Sequence, residues 1–109
     1  MEYVKVARAD EIGSGEKKKI DVEGKVIMLA NIDGQYYALD NKCPHMGGSL
    51  FDGKFEDGNI ICPRHGAAFD VKTGKSVKNA KIAFVNMKVK DATVYPVKVV
   101  DTDILVEIE

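Results

Sequence analysis

The sequence predicts an all-β chain whose 109 residues form a single domain with a loop-rich insert. Short apolar–polar alternations are broken by Asp-Gly pairs, helical periodicity is nearly absent, and between about 41 and 70 the strands shorten while Gly and Pro crowd in. A chain of this size buries roughly 65 % of its unfolded surface, which supports one modest core.

The elements follow in order. Tyr3–Ala7 alternates as a half-buried strand does, and Ala7–Glu11 has room for one helical turn. Lys17-Lys18-Lys19 reads as a solvated strand edge, where charge discourages edge-to-edge pairing. Val26–Ala30 and Tyr36–Leu39 flank Asp33-Gly34, a dipeptide suited to a tight hairpin. Asp52-Gly53, Asp57-Gly58 and Lys72-Thr73-Gly74 mark further turns. Ala80–Lys90 is open, because Ile82-Ala83-Phe84-Val85 suits a strand or a buried helix equally. Thr93–Val100 and Ile104–Ile108 are strands separated by Asp101-Thr102-Asp103, and Pro96 places its strand at an edge or a bulge. Many short strands with tight turns build a barrel or a sandwich.

Composition excludes several classes. With 45 % hydrophobic and 30 % charged residues the chain is neither disordered nor membrane-spanning. Sixteen basic against seventeen acidic residues give a net charge of −1, so neither nucleic acid nor anionic lipid is an expected partner. Val26–Ala30 is the longest unbroken apolar run, far short of a bilayer span. No apolar stretch follows the charge in Met1-Glu2-Tyr3-Val4-Lys5, so no secretory signal is expected. The expectation is a soluble, cytoplasmic protein.

The two cysteines and two histidines all fall within residues 43–65, as Cys43-Pro44-His45 and Cys62-Pro63-Arg64-His65. A Cys43–Cys62 disulfide with two unrelated histidines is one reading of them. Two thiolates and two imidazoles also suit a tetrahedral zinc or an iron–sulfur cluster. Zinc fingers pair Cys with Cys and His with His, whereas here each loop offers one of each. Such loops can give sulfur to one metal and nitrogen to another, as needed by a two-iron cluster with one iron on two thiolates and the other on two imidazoles. No nucleophile–base pair, phosphate-cradling loop or substrate pocket is visible, so the chain is not read as an enzyme by itself. The two loops also share a loose pattern, one ending Leu50-Phe51-Asp52 and the other Ala68-Phe69-Asp70.

Cys43-x-His45, sixteen intervening residues, then Cys62-x-x-His65 resembles the pattern of Rieske [2Fe–2S] proteins. With Tyr36-Tyr37-Ala38-Leu39, Gly48-Ser49-Leu50, Gly66-Ala67-Ala68-Phe69-Asp70, Thr73-Gly74-Lys75 and Tyr95-Pro96-Val97-Lys98, nearly the whole chain is similar to the small soluble Rieske-type ferredoxins. The resemblance implies the Rieske fold, with a cluster-binding subdomain at about 41–70 on an antiparallel β base domain of 1–40 and 71–109. It implies one [2Fe–2S] cluster per chain, with Cys43 and Cys62 on the inner iron and His45 and His65 on the outer, solvent-facing one. The implied function is a one-electron carrier between a reductase and an oxygenase or similar acceptor, working as a monomer. The alternatives are the small subunit of an assimilatory nitrite reductase, whose Rieske-like domain can lack the ligands, and a zinc-stabilised binding module.

Departures from the family refine these expectations. Gly48 and Arg64 stand where relatives in the cytochrome bc complexes carry a second cysteine pair, so no disulfide ties the loops, in keeping with a reducing compartment. Ala67 and Phe69 stand where high-potential members place Ser and Tyr hydroxyls near sulfur. Lacking those donors, the centre is expected near the bottom of the roughly −150 to +300 mV range of such clusters. Lys78–Val94 contains no proline, where related ferredoxins usually carry a proline-bearing stretch over the cluster. Histidine ligation implies a potential that falls with rising pH once the oxidised-state imidazoles deprotonate. Pro44, Met46, Gly47, Pro63 and Gly66 would form an apolar rim around the site, with Met46 read as a plug between the loops. Asp40, Asp52 and Asp70 are read as turn residues rather than ligands.

Overall fold

A computed structural model describes residues 2–42, 48–63, 66–78, 80–82, 85–87 and 90–108. The first strands are β1 (Glu2–Arg8), β2 (Lys17–Val22), β3 (Lys25–Ile32) and β4 (Gln35–Asp40). Next come β5 (Lys54–Glu56), β6 (Asn59–Ile61), β7 (Ala68–Asp70), β8 (Ser76–Lys78), β9 (Ala80–Ile82) and β10 (Val85–Met87). The tail forms β11 (Val94–Tyr95), β12 (Val97–Val100) and β13 (Asp103–Ile108). Two single 3-10 turns, Ala9–Glu11 and Leu50–Asp52, are the helical segments among the described residues. The all-β expectation holds, and the open segment after Ala80 contributes the strand pair β9–β10.

Three sheets stack as layers. The middle one has strand order β11-β4-β3-β2, flanked by β1-β13-β12 on one side and β5-β6-β7-β8 on the other. This arrangement explains the apolar run. Ile27 and Leu29 of β3 face one way, into a core with Ala38, Ile104 and Val106. Met28 and Ala30 face the other way, into a core with Leu39, Leu50, Ile60, Cys62 and Phe69. A strand buried on both faces cannot alternate, since either face would otherwise bury a polar side chain. β13 buries one face only, and Ile104, Val106 and Ile108 alternate accordingly. Each large side chain fully buried here contributes roughly 1.5–3 kcal/mol.

Among the described residues, three hairpins close through two-residue loops in which both residues have positive φ: Glu23-Gly24, Asp33-Gly34 and Asp57-Gly58. That is the turn whose twist matches paired strands, and Gly takes its second position without strain. The two Asp-Gly turns follow from sequence. The turn at Glu23 has weaker local chemistry, because Glu does not favour positive φ, and the pairing of Val22 with Lys25 imposes it. The lysine run lies on β2, which is indeed the edge of the middle sheet. Lys17 turns inward, its ammonium 5.2 Å from the ring centre of Phe51 and 5.4 Å from that of Phe55, and so links two layers. Pro96 marks the point where the chain leaves one sheet for another: Tyr95 pairs with Ala38, while Val97 pairs with Val106. Both flanking strands are edges, where a missing N–H costs no ladder bond.

Candidate metal centre

The second candidate loop is the tip of the β6–β7 hairpin. Ile60 pairs with Phe69 and Ile61 with Ala68, and the Cys62 N–H then donates to the Ala67 carbonyl at 2.7 Å. That bond closes the loop 62–67, and Gly66 reverses the chain with φ +74°. Cys62 is 1 % exposed and its thiol is free, which removes the disulfide reading for it. No described residue offers that sulfur a hydrogen bond. A buried, unpartnered thiol at the foot of a closed loop fits a metal ligand, because a thiolate there gains from metal what it lacks in protein partners.

The first loop is pinched shut at its base in the same way. Lys42 and Ser49 form an isolated antiparallel bridge. Asn41 holds it from within: its backbone N–H donates to the Val26 carbonyl at 3.0 Å and its carbonyl accepts from Leu50 N–H at 2.8 Å. Its side-chain amide donates to the Ser49 hydroxyl at 3.0 Å, while its Oδ1 accepts from Phe51 N–H at 2.8 Å. Asn41 is only 6 % exposed and each of its four polar atoms has a partner, so it makes a rigid staple between β4 and the Leu50–Asp52 turn. Sequence reasoning missed this role, because the partners of Asn41 are eight and ten residues away and are set only by the closed loop. Asn41→Ala is expected to cost about 1–3 kcal/mol through the orphaned partners, with weakened iron retention; urea unfolding and metal analysis check it.

Gly53 presses the two loop bases together. Its N–H donates to the Leu50 carbonyl at 3.0 Å, and its α-carbon lies so close to the Ile61 carbonyl oxygen that any β-carbon would collide with it. Leu50, Cys62 and Ala67 therefore share one buried cluster at the foot of both loops. Cys43, His45 and His65, with Pro44, Met46, Gly47 and Arg64, lie outside the described residues. Among the described residues no three His, Cys, Asp or Glu converge, and Cys62 is the candidate ligand whose surroundings are defined. Asp40 and Asp70 act as turn residues, each accepting from a backbone N–H two residues on, at 3.0 and 2.8 Å.

A Rieske [2Fe–2S] domain pattern matches residues 2–88. The chain belongs to the Rieske [2Fe–2S] family. It carries a [2Fe–2S] cluster and is an electron carrier. This Rieske chain is 35 % identical over 107 residues to the ferredoxin component of the naphthalene 1,2-dioxygenase/salicylate 5-hydroxylase systems of a Ralstonia species, covering 98 % of this chain and 96 % of that one. The ferredoxin of carbazole 1,9a-dioxygenase from Nocardioides aromaticivorans IC177 superposes with a TM-score of 0.84 at 30 % identity, covering 100 % of both chains. A chain in the solved complex of reduced oxygenase and oxidised ferredoxin in carbazole 1,9a-dioxygenase matches with a TM-score of 0.79 at 26 % identity, covering 95 % of this chain and 100 % of that one. No helix among the described residues of the Rieske chain is long and apolar enough to cross a membrane.

Proposed function

We propose that this Rieske protein passes single electrons from a reductase to the oxygenase component of a hydroxylating system, in the cytoplasm and as a monomer. Cys43 and Cys62 hold the inner iron, and His45 and His65 the outer one. The ligands sit in a subdomain of about 41–70 within one domain spanning 1–109. The observation that carries this reading is the buried Cys62, without a hydrogen-bond partner among the described residues, at the foot of a loop whose base is locked to that of the first loop. When bound, the cluster supplies one-electron redox chemistry. The chain's own part is to hold the ligand loops still, so that little rearrangement accompanies the electron, and to exclude water from the inner side with Leu50, Ala67 and Phe69. Dithionite-reduced protein is expected to give a rhombic EPR signal at lower average g than all-thiolate ferredoxins show. A colourless, EPR-silent protein holding one zinc would overturn the reading.

The low potential is part of the same proposal. Ala67 and Phe69 lie two apart in the strand direction, both fully buried and both in the cluster that contains Cys62. Hydroxyls introduced there would enter the same buried face, where donation to sulfur stabilises the more negative reduced state. Ala67→Ser and Phe69→Tyr are therefore each expected to raise the potential in protein-film voltammetry, and the pair to raise it further. A clearly positive potential in the unmodified protein would count against the proposal.

A further inference from the structure

A cleft of about 510 Å³ opens at the base of the first candidate loop, lined by Lys19, Lys25, Lys42, Asp40 and Ser49. Three of its described lining residues are lysines and one is a carboxylate. Among the described residues none of the three ammonium groups has an ion pair. The ion pairs among the described residues involve Lys5, Arg8 and Lys18 instead. Outside the described residues the only acidic side chain is Glu109, so little remains to neutralise them. Lys25 is held in place by the Tyr95 ring, 5.8 Å from its ammonium, and Lys42 is itself one half of the loop's closing bridge. In a chain of net charge −1 this is a local field of the opposite sign, set at the edge of a ligand loop.

We propose that this cleft is the docking surface for an acidic patch on a redox partner protein, which it steers onto the first ligand loop. The inference rests on the electron-carrier reading and names the kind of surface that reading requires. An acidic polypeptide fits better than a lone anion because the three cations are spread along two strands and a loop, and the cleft is open. Steering of this kind raises association rates without needing a large or permanent interface.

The test uses the reduced, cluster-loaded protein and two small oxidants of opposite charge, ferricyanide and hexaammineruthenium(III), in stopped-flow at varied salt. The wild type is expected to react with ferricyanide faster as salt is lowered, against the sign of its net charge. Lys25→Glu/Lys42→Glu is expected to slow ferricyanide roughly fivefold or more at low salt and to speed hexaammineruthenium. A changed driving force would move both oxidants in the same direction, so opposite shifts isolate the field. Lys5→Glu/Lys98→Glu makes the same change in net charge on the opposite layer and is expected to have a much smaller effect. Equal responses from the two double variants, or none, would overturn the proposal. Polyglutamate should bind the wild type, and bind the cleft variant at least several-fold more weakly, by calorimetry. Binding of inorganic phosphate without binding of polyglutamate would assign the cleft to a small anion and overturn the partner. Calorimetry needs no electron transfer, so failure of docking is separable from failure of the carrier reading, which the EPR signal decides.

Discussion

Cys62→Ala is expected to abolish cluster retention while leaving the β framework folded. The thiol is buried at 1 % exposure among Leu50, Ala67 and Phe69, so its removal from the packing alone leaves a small void. A void of that size costs about 1–2 kcal/mol, too little to unfold most domains. Loss of the proposed ligand has a different scale, because an inner iron held as proposed would keep one thiolate of two. The purified variant should therefore show a β-rich circular dichroism spectrum with no visible absorption and almost no bound iron or sulfide. A variant with a full complement of iron and an unchanged EPR signal would show Cys62 to be a core residue only. Alanine is preferable to serine here, since a serine hydroxyl would be left without a partner in the same pocket and add its own penalty.

The second large effect is expected at a residue with no chemistry of its own. Gly53→Ala would drive a β-carbon into the Ile61 carbonyl oxygen and against the Leu50 carbonyl. Both obstacles are backbone, and neither can turn away as a side chain would. Lys54 pairs with Ile61 immediately beside the contact, so relief requires β5 to separate from β6 or the Leu50–Asp52 turn to lift. Either movement parts the two ligand-loop bases. The expected cost is at the upper end of overpacking, about 3 kcal/mol or more, with a matching loss of bound iron. Denaturant midpoints and metal content measure the two effects separately. A variant of unchanged stability and full iron content would show that the loop bases tolerate separation.

These two residues show what could and could not be read from sequence. Cys62 announced itself through chemistry, because residue type and the spacing to His65 limit what such a loop can bind. Asp33-Gly34 and Asp57-Gly58 announced their turns because positive φ at both positions restricts the residues that fit. Gly53 looked like an ordinary turn glycine, and its close approach to Ile61 involves a strand eight residues on. Asn41 carried no signal of its own, since its hydrogen bonds to Ser49 and Phe51 exist only after the loop has closed.

The sequence by itself determined the all-β class, most hairpin turns, the sheet-edge placement of the lysine run and membership of the Rieske [2Fe–2S] family. Each depends on local chemistry: a backbone conformation few residues adopt, a charge that resists burial, a sulfur and nitrogen pattern that suits iron. Only the tertiary structure decided the layering. The run Val26–Ala30 carries no alternation from which to choose a face, and both faces of β3 prove to be buried. Nor could any local signal place Lys25, Lys42 and Lys19 around one cleft, because they come from two strands and a loop that the middle sheet brings together. Contacts between segments distant in sequence depend on register and stacking, and these are settled only when the whole core forms.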